Sequence, residues 1–164
     1  MKKLVLVLAI VFAGVMSANA QVWVGLNNIG AQIEKNHTAF SFAPEVGYCI
    51  NNQWQLALGA QYGFEKDGTM VNTLALQPYV RYVGGTIGKK FSLFVDLTGD
   101  FGVVNRGGWA VNLRPGLAWQ ATEQFTAAFR FGFAGYDHGY DHVNNGFYLN
   151  CEMVAPEIRF YYNF

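Results

Sequence analysis

The sequence predicts an all-β fold, an eight-stranded antiparallel up-and-down transmembrane β-barrel. Three observations predict it. Residues alternate with period two between a bulky apolar face and a small or polar face along almost all of residues 21–164. Turn signals cut that alternation into eight runs. An internal repeat takes one hairpin as its unit.

The N-terminus stands apart from this pattern. Lys2 and Lys3 precede an apolar run from Leu4 to Met16, and Ala18-Asn19-Ala20 places small residues before Gln21. These are the parts of a secretory signal peptide over residues 1–20, cleaved after Ala20. The apolar run falls short of the about 20 residues that a membrane helix needs, and no later stretch approaches that length. Removing residues 1–20 from a 164-residue chain leaves 144, which suits one domain over residues 21–164. A membrane protein of this composition must cross as strands.

After a break near Glu34–Asn36, Thr38, Phe40, Phe42, Pro44, Val46, Tyr48 and Ile50 share one face, against Ala39, Ser41, Ala43, Glu45, Gly47 and Cys49. Past Asn51-Asn52, Trp54, Leu56, Leu58, Ala60, Tyr62 and Phe64 oppose Gln55, Ala57, Gly59, Gln61, Gly63 and Glu65. Lys66-Asp67-Gly68 turns the chain, and a further connection runs from Gly84-Gly85 to Lys89-Lys90. Phe91, Leu93, Val95 and Leu97 then oppose Ser92, Phe94, Asp96, Thr98 and Asp100. Beyond Asn105 to Gly108, the bulky face continues through Trp109, Val111, Leu113, Pro115, Leu117 and Trp119. A turn at Ala121 to Gln124 leads to Phe125, Ala127, Phe129, Phe131 and Phe133, and a longer connection spans Asp137 to Gly146. Seven connections join eight strands.

The repeat reads Pro, any, apolar, any, aromatic at Pro44–Tyr48, Pro78–Tyr82, Pro115–Trp119 and Pro156–Phe160. Each copy lies in the second strand of a hairpin. A proline deletes a ladder hydrogen bond, so a bulge or local irregularity is expected at each.

Alternation alone does not distinguish a membrane barrel from a soluble ligand-binding one. The polar face is mostly Gly, Ala, Ser, Thr, Gln and Asn, while Lys35, Lys66, Lys89 and Lys90 all fall in or beside connections. A wall without lysines suits water poorly, so the small face is expected to line a crowded lumen and the bulky face to meet lipid. Trp54, Trp109 and Trp119, with Tyr48, Tyr62, Tyr82 and Tyr162, project outward near strand ends, as interfacial girdles do.

With these segments the chain resembles the family of small bacterial outer-membrane β-barrel proteins similar to OmpX and the OmpA membrane domain, in the form common in Bacteroidetes. The resemblance covers residues 22–164. It implies a bacterial outer-membrane location and a C-terminal signal, Phe160, Tyr162 and Phe164, presented to the barrel assembly machinery. Short connections other than the last, and no extension after the barrel, depart from that family and argue against loop-mediated adhesion or a cell-wall tether.

Eight ionisable residues are expected to form a polar network in the lumen: Glu45, Arg81, Asp96, Asp100, Arg114, Arg130, Glu157 and Arg159. Glu65 is assigned to the same face. Eight strands leave an interior that side chains fill, so these groups are read as a plug. The functional expectation is an integral outer-membrane barrel with a structural or surface-interaction role. A narrow small-solute channel and an outer-membrane lipid-modifying enzyme are the alternatives.

Without Lys2 and Lys3 the 11 basic residues become 9 against 11 acidic, which lacks the signature of a nucleic-acid binder. Lipid is the expected partner, the assembly machinery a transient one, and the protein a monomer. Ser41 and Ser92 are the only serines after residue 20 and show no evident partner histidine, and there is no phosphate loop or Cys-x-x-Cys, so no catalysis and no cofactor are expected. Asp137-His138 and Asp141-His142 could ligate a metal only with a third convergent ligand, to which His37 is a candidate, and a solvated loop is the simpler reading. Cys49 and Cys151 are expected near opposite rims, too far apart to bridge.

Overall fold

The computed structural model describes residues 22–33, 37–67, 69–141, 144–151 and 157–164. They form a closed antiparallel β-barrel with eight strand positions. The strands are β1 (Val22–Ile33), β2 (His37–Cys49), β3 (Trp54–Asp67), β4 (Thr69–Ile87), β5 (Phe91–Val104) and β6 (Trp109–Gln120), followed by four shorter segments. β7 (Phe125–Arg130) and β8 (Phe133–His138) share the seventh position; β9 (Gly146–Asn150) and β10 (Glu157–Asn163) share the eighth. β10 pairs with β1 through Trp23↔Asn163 to Leu26↔Phe160, which closes the ring. Residues 1–20, the break at 34–36 and Pro156 lie outside the described residues.

The connections at 50–53, 88–90 and 121–124 lie at one end, the turn end, and those joining β1 to β2, β3 to β4, β5 to β6 and β8 to β9 lie at the other, the loop end. At the turn end, Asn51 Oδ1 accepts from the Gln53 and Trp54 amides at 2.8 Å each, and Thr122 Oγ1 accepts from the Phe125 amide at 2.9 Å. Such side-chain acceptors replace backbone partners that a four-residue reversal leaves unsupplied. The same end holds the C-terminus, where the Phe164 amide donates to Val22 O at 3.0 Å.

The prolines behave in two ways. Opposite Pro44, β1 carries an additional residue, Asn27, between the pairs Leu26↔Pro44 and Asn28↔Ala43. Opposite Pro115, the seventh strand carries one, since Gly116 pairs with Arg130 but Leu113 with Ala134. There Gly132 adopts φ +74°, and the Phe131 amide donates to Pro115 O at 2.9 Å. The extra residue thus sits in the neighbouring strand, where backbone without a proline donor partner must find another bond. Across Pro78 the register is unchanged, from Leu76↔Phe101 to Tyr79↔Thr98, so the expected bulge is absent there.

Two strand-level expectations are corrected. β4 runs 19 residues, through Gly84-Gly85 to Ile87, and a bulge between Val83 and Gly85 absorbs the two glycines within the strand. Phe133 does not share a face with Phe125 and Phe129. The bulge at Phe131-Gly132 shifts the phase by one residue and turns Phe133 inward, where its ring lies 5.3 Å from the Arg114 guanidinium.

Elsewhere the phases hold. Leu56, Leu58, Leu93, Val95, Leu97, Val111, Leu113, Ile158 and Phe160 are exposed on the outer wall, while Glu45, Arg81, Asp96, Asp100, Arg130 and Arg159 are buried inside. Ala127 also faces outward but is covered, because it pairs between Trp119 and Phe160.

Candidate functional site

The lumen is the site with the most chemistry. Its middle is a network of the eight ionisable residues named from sequence, with four arginines and four carboxylates. Asp96 is the hub nearest the turn end. It accepts two bonds from Arg81, Nε to Oδ1 at 2.7 Å and Nη2 to Oδ2 at 2.9 Å, and a further pair from Arg130, of which Nε to Oδ2 is 2.8 Å. One carboxylate between two guanidiniums uses the fork geometry that makes arginine the strong partner for a buried acid.

Arg159 is the second hub. It donates to Glu45 Oε2 at 2.5 Å, Gln77 Oε1 at 2.7 Å and Glu157 Oε1 at 2.6 Å. Tyr79 completes Glu45 with a 2.7 Å bond from its hydroxyl, and Arg130 Nη1 reaches Glu157 at 3.5 Å. Gln77 in turn donates to Asp100, which also accepts from Asn112 at 2.8 Å. Arg114 is held more loosely, by Asp100 at 3.3 Å and Glu157 at 3.6 Å, and is 18% exposed where Arg130 and Arg159 are 1%. All eight residues therefore meet in one connected, charge-balanced network.

A layer of aromatics caps the network toward the turn end. Trp23, Tyr79, Phe94 and Tyr161 form the buried apolar cluster with Ala128. Trp23 and Tyr161 rings meet edge to face at 4.6 Å, and the Arg81 guanidinium lies 3.9 Å from the Phe94 ring centre. Glycines make the space. A Cβ on Gly47 would collide with the Trp23 indole, one on Gly116 with the Phe94 ring, and one on Gly25 would lie 2.5 Å from Tyr161 Cδ1. Ring and glycine alternate around the bore, a large-against-small fit.

On either side of this plug the lumen opens. A turn-end vestibule of about 470 Å³ has Trp23, Arg81, Phe94 and Tyr161 among its lining. A loop-end vestibule of about 480 Å³ is bounded by Asp100, Arg114 and Glu157 below and by Arg106, Tyr140 and Asp141 above. Arg106 straps its mouth: it donates to Gln61 at 3.3 Å on β3, pairs with Asp141, and lies 4.1 Å from the Tyr140 ring. Burial pushes the Tyr140 phenol up to about 12, against the opposing pull of Arg106, so it is a neutral donor at pH 7.

No family model matches the chain, and no curated protein does.

The remaining sequence candidates fall elsewhere. Glu65 is exposed at the loop end, opposite Ala39 of β2. Asp137 is spent on a turn, accepting from the Tyr140 and Asp141 amides at 3.0 Å each, while His138 stacks on Trp109 at 5.5 Å on the outer wall. His142 and the His37 side chain lie outside the described residues, among which no three potential metal ligands cluster. Ser92 lines the turn-end vestibule and Ser41 lies toward the loop end. Cys49 and Cys151 are free thiols. Phe160, Tyr162 and Phe164 are exposed on the outer surface.

Sequence reasoning did not single out Gln77, Tyr79, Asn112 and Tyr161. The signal was present, since each sits two residues from a chosen arginine, at Arg81, Arg114 and Arg159, or four in the case of Gln77, and so shares its inward phase.

Proposed function

We propose that this protein is an exported, integral outer-membrane β-barrel whose lumen is closed by the arginine–carboxylate plug, with a structural or surface-interaction role. The observation that carries the reading is the inversion of polarity. Leucines, valines and aromatics 37–49% exposed cover the outer wall, while the buried side chains include three charged pairs. Soluble monomers rarely expose contiguous apolar patches beyond a few hundred Å², so a continuous belt of this kind calls for lipid. Residues 1–20 supply the export signal in this reading, and Phe160, Tyr162 and Phe164 the contact with the assembly machinery. The test is circular dichroism with heated and unheated gel mobility of protein lacking residues 1–20, refolded into detergent. A β-rich spectrum and a heat-modifiable band support the reading; folding in plain buffer without detergent sinks it.

A narrow channel is the second reading, favoured by the vestibules of about 470 and 480 Å³ that approach the plug from both ends. It requires the Asp96 and Arg159 clusters to part, and steady conductance of the unaltered protein in planar bilayers would establish it.

A further inference from the structure

A much smaller void, about 20 Å³, adjoins the loop-end vestibule and shares Asn27, Gln61 and Gln77 with it. That is room for one water-sized group. Two residues of its wall, Asn27 and Glu45, each carry a buried acceptor that no donor among the described residues reaches: Asn27 Oδ1 and Glu45 Oε1. Leaving such atoms unpaired is costly, and the same Glu45 is otherwise fully engaged through its second oxygen by Tyr79 and Arg159. Asn27 owes its place to the β1 bulge opposite Pro44. The annex therefore asks an occupant for donors.

The charges nearby decide which donor. Arg159 lines the annex with its guanidinium 2.5 Å from Glu45 Oε2, so an ammonium group there would meet a like charge, and a hydroxyl would not. In the vestibule above, the signs are interleaved rather than separated. Arg114 lies between Asp100 and Glu157, and Arg106 lies on Asp141. A zwitterion would have to displace those pairs to reach either pole, and a net ion of either sign meets its own kind. Hydroxyls both donate and accept, and the loosely held Arg114 and the neutral Tyr140 phenol offer donors to match. A volume of about 480 Å³ lies within the roughly 300–1,000 Å³ of small-molecule sites.

We propose that the loop-end vestibule binds a neutral polyol of monosaccharide size, whose hydroxymethyl oxygen enters the annex and whose hydroxyls supply the donors that Glu45 Oε1 and Asn27 Oδ1 lack. The Arg106 strap lies across its entrance. The test is calorimetric titration of the full exported chain in detergent, its fold checked by heat-modifiable mobility. Glucose and galactose are compared with xylose, the same type of ring without the hydroxymethyl arm, and with ethanolamine and glycine as charged probes. At least one hexose should bind saturably, with xylose about tenfold weaker, the worth of one or two hydrogen bonds. Asn27→Ala should weaken the hexose toward the xylose value and leave xylose unchanged. The proposal is overturned if neither hexose gives saturable heat, if xylose binds as well as the hexoses, or if ethanolamine or glycine saturates the site in their place. Because the hexose-to-xylose contrast is read on the unaltered protein, it stands even where Asn27→Ala does not fold.

Discussion

Arg130 and Arg114 carry the same charge on neighbouring strands, yet the structure gives them different weight. Arg130 is 1% exposed and bonds Asp96, which is itself fully buried, so its removal leaves an acid in the bore with half its partners gone. Breaking a buried pair by deleting one member costs about 3–5 kcal/mol. Arg130→Ala should therefore lower the midpoint of the heat-induced gel-mobility transition strongly. Arg114→Ala, which breaks contacts of 3.3 and 3.6 Å at the edge of an open vestibule, should lower it by clearly less. Equal losses would mean that the two arginines belong to one indivisible unit. Gly47 offers a second test at this scale, because the Trp23 indole occupies the space of its missing side chain. Gly47→Ala should cost about 1–3 kcal/mol by overpacking, measured by the same transition. A neutral result would show that the indole has room to move.

The elements show why some of the architecture was legible in the sequence and some was not. Period-two alternation through β2, β3, β5 and β6 gave their faces directly, since a strand with one polar and one apolar side has only one register that buries the charges. It misplaced Phe133 because a one-residue bulge reverses phase without changing composition, and the sequence around Phe131-Gly132-Phe133 reads as uninterrupted greasy strand. The glycine was the available sign: Gly132 has φ +74°, a conformation costly for any residue with a Cβ. The eight ionisable network members were legible from phase alone, but their pairing was not. Asp96 has Arg81 and Arg114 as its register neighbours, yet it bonds Arg81 and, two strands away, Arg130 in place of Arg114. Adjacent backbone sets which residues share a level, and side-chain reach across a narrow bore selects the partners. Gly132→Ala should destabilise the barrel by more than about 1 kcal/mol, as a Cβ there both strains the backbone and meets Asn150 O. Deleting Gly132 should be worse, turning Phe133 to the wall and Tyr136 to the lumen; an unaltered melting midpoint in that deletion would mean the bulge is dispensable.

At the scale of the whole molecule the outer wall has a measurable height. Trp109 begins β6 at the loop end and Trp119 lies near its other end, both outward and 39% exposed. At about 3.3 Å per residue and a strand tilt of about 40°, their separation along the barrel axis is about 25 Å, the height of the apolar band in outer-membrane barrels. Neighbours at both levels are aromatic: Trp54 meets Tyr82 at 4.9 Å at the turn end, and Trp109 meets Tyr136 at 5.7 Å at the loop end. Leu93, Val95, Leu97, Val111 and Leu113 lie between, as a slab of hydrocarbon with two interfaces demands. Trp23 is the internal control, 2% exposed and inside the barrel against Tyr161. Variants that retain one tryptophan, with the other three changed to Phe, should separate these environments in vesicles containing lipids spin-labelled at known depths. Trp109 and Trp119 should be quenched most by labels near the headgroups, and Trp23 least by labels at any depth. If Trp23 were quenched as strongly as Trp119, its indole would face lipid and the lumen assignment would fall. If Trp109 and Trp119 instead responded best to labels at the bilayer centre, the two rings would not mark the interfaces, and the belt would have to lie elsewhere on the wall.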